Sequence, residues 1–243
     1  MPSLSLEDRL IWFAHCPKAG GTTIETLLVD TWKDRVGHLR WGWDLWWKQG
    51  GWRVATPPSS PQHLIWTDAS EVLSISPDIV FALVRDPVRR LMSEHRYQRK
   101  YRRGRRAGRA LACLPFSFWL RLMLAVARRN PYAFDNHLRP QTDFIPSHAR
   151  VFRLEEGIEP VVNWLGDVTG KSGLSVPAPM LKTGSSAVPA PDTVALIEEA
   201  FAEDYARFGY DRLSDPLPDR GLLDRLAEAL APGVAALERR GLL

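Results

Sequence analysis

Apolar residues in this chain fall into short uninterrupted runs separated by stretches of helical spacing. Leu10, Ile11, Trp12, Phe13 and Ala14 form a run too short for a helix, the pattern of a buried strand. Turn residues follow in His15-Cys-Pro-Lys-Ala-Gly-Gly21, and helical spacing resumes over 22–28. A second apolar run over 78–84 ends at Arg85-Asp-Pro87, where Pro87 suits the first turn of a helix predicted to reach about residue 101. Further on, the spacing predicts a helix over 116–128, a short strand over 151–154 and a helix over 158–165. A long Gly-, Ser- and Pro-rich loop over 168–191 precedes a helix over 192–208 capped by Asp192, and 220–239 reads as a last amphipathic helix. The alternation predicts an α/β fold with a central parallel sheet and flanking helices.

A length of 243 residues fits one such domain, with 211–243 as a C-terminal helical extension. Hydrophobic residues at 45% and charged residues at 25% argue against disorder or a fibrous repeat. A net charge of +4 suits an anionic ligand and is too small to mark a nucleic-acid binder. Cys16 and Cys113 lie far apart without metal-ligand spacing, so neither a disulfide framework nor a zinc site is expected. The first residues carry charge early, and the run over 10–14 is far below the roughly 20 residues of a membrane span. No signal peptide or anchor is expected, and the expected location is the cytoplasm.

Two motifs carry chemistry. In Pro17-Lys-Ala-Gly-Gly-Thr-Thr23, between strand and helix, glycines let backbone N–H groups approach an anion and the helix N-terminus adds a favourable dipole. A Walker A loop would place its lysine after the glycines with a hydroxyl on magnesium, whereas here Lys18 comes first. In Arg85-Asp-Pro-Val-Arg-Arg-Leu-Met-Ser93, an arginine leaves the carboxyl end of a strand, the edge at which open α/β sheets bind ligands, and Ser93 lies two turns into the next helix. Together they imply a ligand phosphorylated at two places.

The pair resembles the 5′-phosphosulfate loop, PKxGGTT, and the 3′-phosphate motif, RDPxxRxxS, of sulfotransferases that use 3′-phosphoadenosine 5′-phosphosulfate (PAPS), above all the type-2 carbohydrate O-sulfotransferases. Gln62-His63, Asp135-Asn-His-Leu-Arg-Pro-Gln141, Val151-Phe-Arg-Leu-Glu155 and Asp204-Tyr-Ala-Arg-Phe-Gly-Tyr210 extend the resemblance over about residues 10–210. Ala19 stands where the family usually has threonine. The resemblance implies a P-loop-like three-layer fold and sulfuryl transfer from PAPS to a hydroxyl of a carbohydrate or glycolipid-like acceptor, releasing adenosine 3′,5′-bisphosphate without a metal. It implies that Lys18 binds the bridging and 5′-phosphate oxygens, that the loop through Ala19, Gly20, Gly21, Thr22 and Thr23 holds the 5′-phosphate, and that Arg85 and Ser93 hold the 3′-phosphate. Lys182 and Thr183 fall in the stretch matching a late loop over the adenosine.

Such a transfer needs in-line positioning, cations on the leaving phosphate and a base for the hydroxyl, worth about 10²–10⁴-fold. Among six histidines, His63 precedes the second strand as the catalytic histidine does in related carbohydrate sulfotransferases. His137 is its rival, in a segment that otherwise shapes an acceptor pocket, and His15 reads as structural. Eight Lys or Arg over 96–109 read either as a solvated helix end or as attraction for an acidic glycan; no nucleic-acid motif accompanies them. Trp32, Trp41, Trp43, Trp46, Trp47 and Trp52 crowd together as core anchors or sugar-stacking surfaces. Two other readings remain open: a P-loop kinase, which would need a later Lys-Ser/Thr and magnesium, and a non-catalytic polyanion-binding module, which leaves both phosphate motifs unexplained.

Overall fold

A computed structural model describes residues 2–37, 59–73, 76–101, 106–176, 189–213 and 221–243. In chain order the elements are β1 (Ser3–Ser5), β2 (Leu10–Ala14), α1 (Gly21–Trp32), β3 (Val36–Gly37), α2 (Trp66–Leu73), β4 (Ile79–Val84), α3 (Pro87–Tyr101), α4 (Arg106–Cys113), α5 (Phe116–Arg129), β5 (Arg150–Arg153), α6 (Glu159–Thr169), α7 (Pro191–Ala200), α8 (Ala202–Phe208) and α9 (Leu222–Arg239). They group into two compact units, one within Met1–Arg85 and Gln141–Lys182, the other within Asp86–Pro140 and Thr183–Leu243.

The first unit holds the sheet, in the order β3-β1-β2-β4-β5. β2, β4 and β5 are parallel, with Ala14 opposite Ala82 and Val84 opposite Arg153, so their carboxyl ends share one edge. The expectation of a parallel sheet needs a correction at the other side: β1 pairs antiparallel with both β2 and β3. The chain turns directly from β1 into β2, and a connection that short joins only antiparallel neighbours. Side chains alternate along a strand, so Ile11 and Phe13 of β2 share a face with Phe81 and Leu83 of β4. That face packs on Ile24, Leu27 and Leu28 of α1 and on Val161 and Leu165 of α6. Phe13 and Phe81 stack with ring centroids 5.0 Å apart. Each buried side chain of this size contributes about 1.5–3 kcal/mol.

The second unit is helical in its described residues. From Trp119 to Val126 every residue of α5 is buried, as expected of a helix covered on all sides. α9 presents Ala227, Ala231 and Ala235 as its buried stripe, a set of small residues that permits close approach to α5. Arg121 of α5 is nearly buried and pairs with Asp192 at 2.9 Å and Asp224 at 3.1 Å. The helix predicted over 192–208 is two helices: buried Phe201, with φ −119° and ψ 30°, breaks it. Asp192 is not the cap, since Ala190 occupies that position and Asp192 lies in the first turn. Among the described residues no helix is long and apolar enough to cross a membrane.

Candidate anion-binding site

β2 runs straight into the loop that ends at Gly20, the N-cap of α1. The loop closes on itself through Ala19 N–H to the Cys16 carbonyl (3.3 Å) and Thr23 N–H to the Gly20 carbonyl (3.1 Å). Gly20 has φ +90°, and a β-carbon there would lie 3.0 Å from Leu83 Cδ2 and 3.1 Å from Leu154 Cδ1, so only glycine fits. Lys18 also has a left-handed backbone, φ 67°, which costs a non-glycine residue about 1–3 kcal/mol. Ala19 is buried, Thr22 is exposed, and Lys18 and Thr23 are partly exposed. The loop thus has a buried floor and accessible positions on either side of it.

Gly21 is needed for a reason the sequence does not display. A β-carbon on it would sit 1.9 Å from Nε2 of His15, whose ring lies against the start of α1. His15 Nδ1 meets Glu25 Oε1 at 2.9 Å, and Gln62 Nε2 donates to both Glu25 oxygens at 2.8 and 3.0 Å. Burial by itself would raise the Glu25 carboxyl, but the charge and hydrogen bond of His15 and the Gln62 amide outweigh it and hold the group below its ordinary value. His63 follows Gln62 in a 3-10 turn, Pro61–His63. It is buried, its ring meets His15 edge-on at 5.2 Å, and its Nδ1 lies 3.5 Å from Ser60 Oγ.

Arg85 leaves the carboxyl end of β4 under a two-point clasp. Its N–H donates to Gln141 Oε1 at 2.9 Å, and Gln141 Nε2 donates back to the Arg85 carbonyl at 2.9 Å. Gln141 is fully buried, and its side chain takes the place of another strand's backbone. From there Arg85 Nη1 reaches the Lys18 carbonyl at 3.4 Å. The structure therefore brings Arg85 to the glycine loop within the first unit.

Ser93 and His137 belong to the second unit, and both are buried. Next to Ser93 in α3, Glu94 meets His137 Nδ1 at 2.6 Å and accepts Gln98 Nε2 at 2.8 Å. A carboxylate can only accept, so His137 donates from Nδ1 to Glu94. Three consecutive left-handed residues lead into His137: Phe134 (φ 55°), Asp135 (φ 59°) and Asn136 (φ 62°). Left-handed backbone costs about 1–2 kcal/mol per residue, and several contacts offset it. Buried Arg90 donates to the carbonyls of His137 (3.2 Å) and Arg139 (2.8 Å), and Glu238 of α9 accepts the Phe134 N–H at 3.0 Å. In the same unit His95 is a structural histidine. Burial pushes its pKa down, and Nε2 donates to the Leu114 carbonyl at 3.0 Å.

Lys182 and Thr183 lie outside the described residues, as do Trp41, Trp43, Trp46, Trp47 and Trp52, whereas Trp32 is buried. Of the basic run, Arg99, Lys100 and Arg109 are exposed. Sequence reasoning passed over Glu25 and Glu94 as site residues. An acidic residue one helical turn beyond the glycines of an anion loop was the available signal for Glu25. Glu94 carries no comparable mark, because its partner is 43 positions away.

A glycine loop joining a parallel strand to a helix, with Lys18 and Arg85 at the same sheet edge, defines an α/β protein suited to an anionic ligand. Residues 5–155 match the sulfotransferase family. That is more than half of the 243 residues, and the chain belongs to this family, whose members are transferases of sulfuryl groups. No curated protein and no solved structure matches the chain.

Proposed function

We propose that the chain transfers a sulfuryl group from PAPS to a hydroxyl of a carbohydrate or glycolipid-like acceptor, with residues 1–243 acting as one P-loop-like catalytic domain in the cytoplasm. The observation that carries the proposal is the approach of Arg85 to the carbonyl of Lys18 at 3.4 Å, which joins the two phosphate motifs at one sheet edge. Lys18 neutralises charge on the bridging and 5′-phosphate oxygens. The backbone N–H groups through Ala19, Gly20, Gly21, Thr22 and Thr23 take the 5′-phosphate, and Arg85 with Ser93 takes the 3′-phosphate. Lys182 and Thr183 cover the adenosine. The exposed cations Arg99, Lys100 and Arg109 favour an acidic glycan as the acceptor.

In the reaction the acceptor oxygen attacks sulfur as the bond from sulfur to the bridging oxygen breaks. The acceptor proton passes to a histidine, and adenosine 3′,5′-bisphosphate leaves with the electron pair. His63 is the proposed base, because its ring lies against His15, which in turn packs on the anion loop. One observation favours His137 instead: its Nδ1 is held by Glu94 at 2.6 Å, the arrangement that orients a histidine for proton transfer.

Calorimetry with adenosine 3′,5′-bisphosphate, AMP and a chelator tests the donor site. Tighter, chelator-insensitive binding of the bisphosphate is expected, and equal affinity for AMP would sink the assignment. Lys18→Ala should lower turnover more than bisphosphate affinity, since its charge matters most as the leaving group forms. An acceptor screen with radiolabelled PAPS then identifies the hydroxyl.

A further inference from the structure

The first turn of α1 is bracketed by a single side chain. His15 is the first residue after β2, and its ring lies where a Gly21 β-carbon would stand, 1.9 Å from Nε2. Its other nitrogen is bound at 2.9 Å to Glu25, one turn further along the same helix. The Glu25 carboxylate accepts, so His15 donates from Nδ1. His15 is fixed from both sides, by the backbone of Gly21 and by Glu25. Gln62 fixes Glu25 in turn with one amide nitrogen shared between its oxygens, at 2.8 and 3.0 Å. His15 and Gln62 are buried, and the Glu25 side chain is only 14% exposed.

A carboxylate beside a helix N-terminus that receives an anion opposes that anion. Its presence one turn from Gly21 therefore calls for a compensating role. The Glu25 oxygens are taken up by His15 and Gln62. In Glu25→Gln, an amide N–H donor replaces one of the two acceptor oxygens and opposes either Gln62 or His15. The His15 ring then loses the contact that presses it against Gly21, and the angle between β2 and the first turn of α1 is no longer set.

We infer that Glu25 is a positioning residue: by holding His15 against Gly21 it sets the backbone N–H groups at the start of α1 for the nucleotide's 5′-phosphate. This rests on the reading of the glycine loop as the 5′-phosphate site. It also gives Gln62 a role, that of tying the turn bearing His63 to the helix that follows the loop.

The test compares three nucleotides, adenosine 3′,5′-bisphosphate, AMP and adenosine 3′-phosphate, by calorimetry on the full chain and on Glu25→Gln. Glu25→Gln should bind the bisphosphate and AMP roughly 10-fold to 100-fold more weakly and adenosine 3′-phosphate within about 2-fold, the range of a lost charge-assisted bond. Adding Gln62→Glu to Glu25→Gln restores a carboxylate and amide pair with the partners exchanged, and should recover much of the loss. Equal weakening for all three nucleotides would mean general unfolding and would overturn the inference, as would unchanged binding in Glu25→Gln. A wild-type chain indifferent to the 5′-phosphate would overturn the reading of the loop as well, so the two failures are told apart by the wild-type titration.

Discussion

Among the described residues, each of the two compact units holds a buried histidine–carboxylate pair, and the two pairs do different work. His15–Glu25 in the first unit and His137–Glu94 in the second both bond through Nδ1, at 2.9 and 2.6 Å, so each ring donates from the same nitrogen. The difference lies in what each pair stands on. His15 follows a buried strand and spends its other face on the backbone of Gly21, which makes it a wedge. His137 follows three left-handed residues held by Arg90 and Glu238, and strain of this kind persists only where the surroundings over-determine it. A histidine–carboxylate pair by itself therefore says little about catalysis; the geometry around the second ring nitrogen decides.

The largest expected effect separates His137 from His63, which carries the proposed base role. His63→Ala should lower turnover by about 10²–10⁴-fold with bisphosphate affinity retained, while His137→Ala mainly raises the acceptor KM. Assays with saturating acceptor decide it, and collapse of turnover in His137→Ala alone would transfer the base role to the Glu94-bound ring.

Next in size is Gly21→Ala, whose new methyl group collides with His15. It should cost about 3 kcal/mol in denaturant unfolding and weaken bisphosphate binding. In a His15→Ala background the methyl has room, so the double variant should lose less than the sum of the singles. Strict additivity would show that His15 is not the wedge.

Glu94→Ala should cost about 2 kcal/mol of stability, because His137 and Gln98 both lose a buried partner, yet leave affinity for AMP unchanged. A loss of AMP affinity matching that of Glu25→Gln would erase the distinction between the pairs.

The smallest effect is on acid stability. The Glu25 carboxyl lies below its ordinary 4.5, so the folded chain takes up that proton less readily than the unfolded chain. Its contribution is complete above pH 4.5 and is lost as pH falls through the depressed value. The stability gap between the wild type and Glu25→Gln should therefore narrow in acid, and a constant gap down the pH range would contradict an ionised Glu25.

Much of the first unit was legible in the chain itself. The strand at Leu10–Ala14 is found where the apolar run placed it, and so is the helix at Pro87–Tyr101. Both signals are local, a run length in one case and a proline at a first turn in the other. β1 was missed because Ser3–Ser5 carries only one apolar residue and becomes a strand by pairing with its neighbours. The break at Phe201 was missed for a related reason: burial of that ring overrides an otherwise continuous helical spacing.

The sequence by itself determined the glycine loop, the strands and helices that flank it, and the arginine at the end of β4, because backbone freedom and hydrophobic period act over a few neighbouring residues. Tertiary structure decided why Gly21 must be glycine, how Gln141 clasps Arg85, and which histidines receive a carboxylate. Those outcomes depend on side chains 10, 56 and 43 positions apart, in His15–Glu25, Arg85–Gln141 and Glu94–His137. Hydrogen bonds of that kind form only after burial has removed the competing water, and burial is a property of the packed chain.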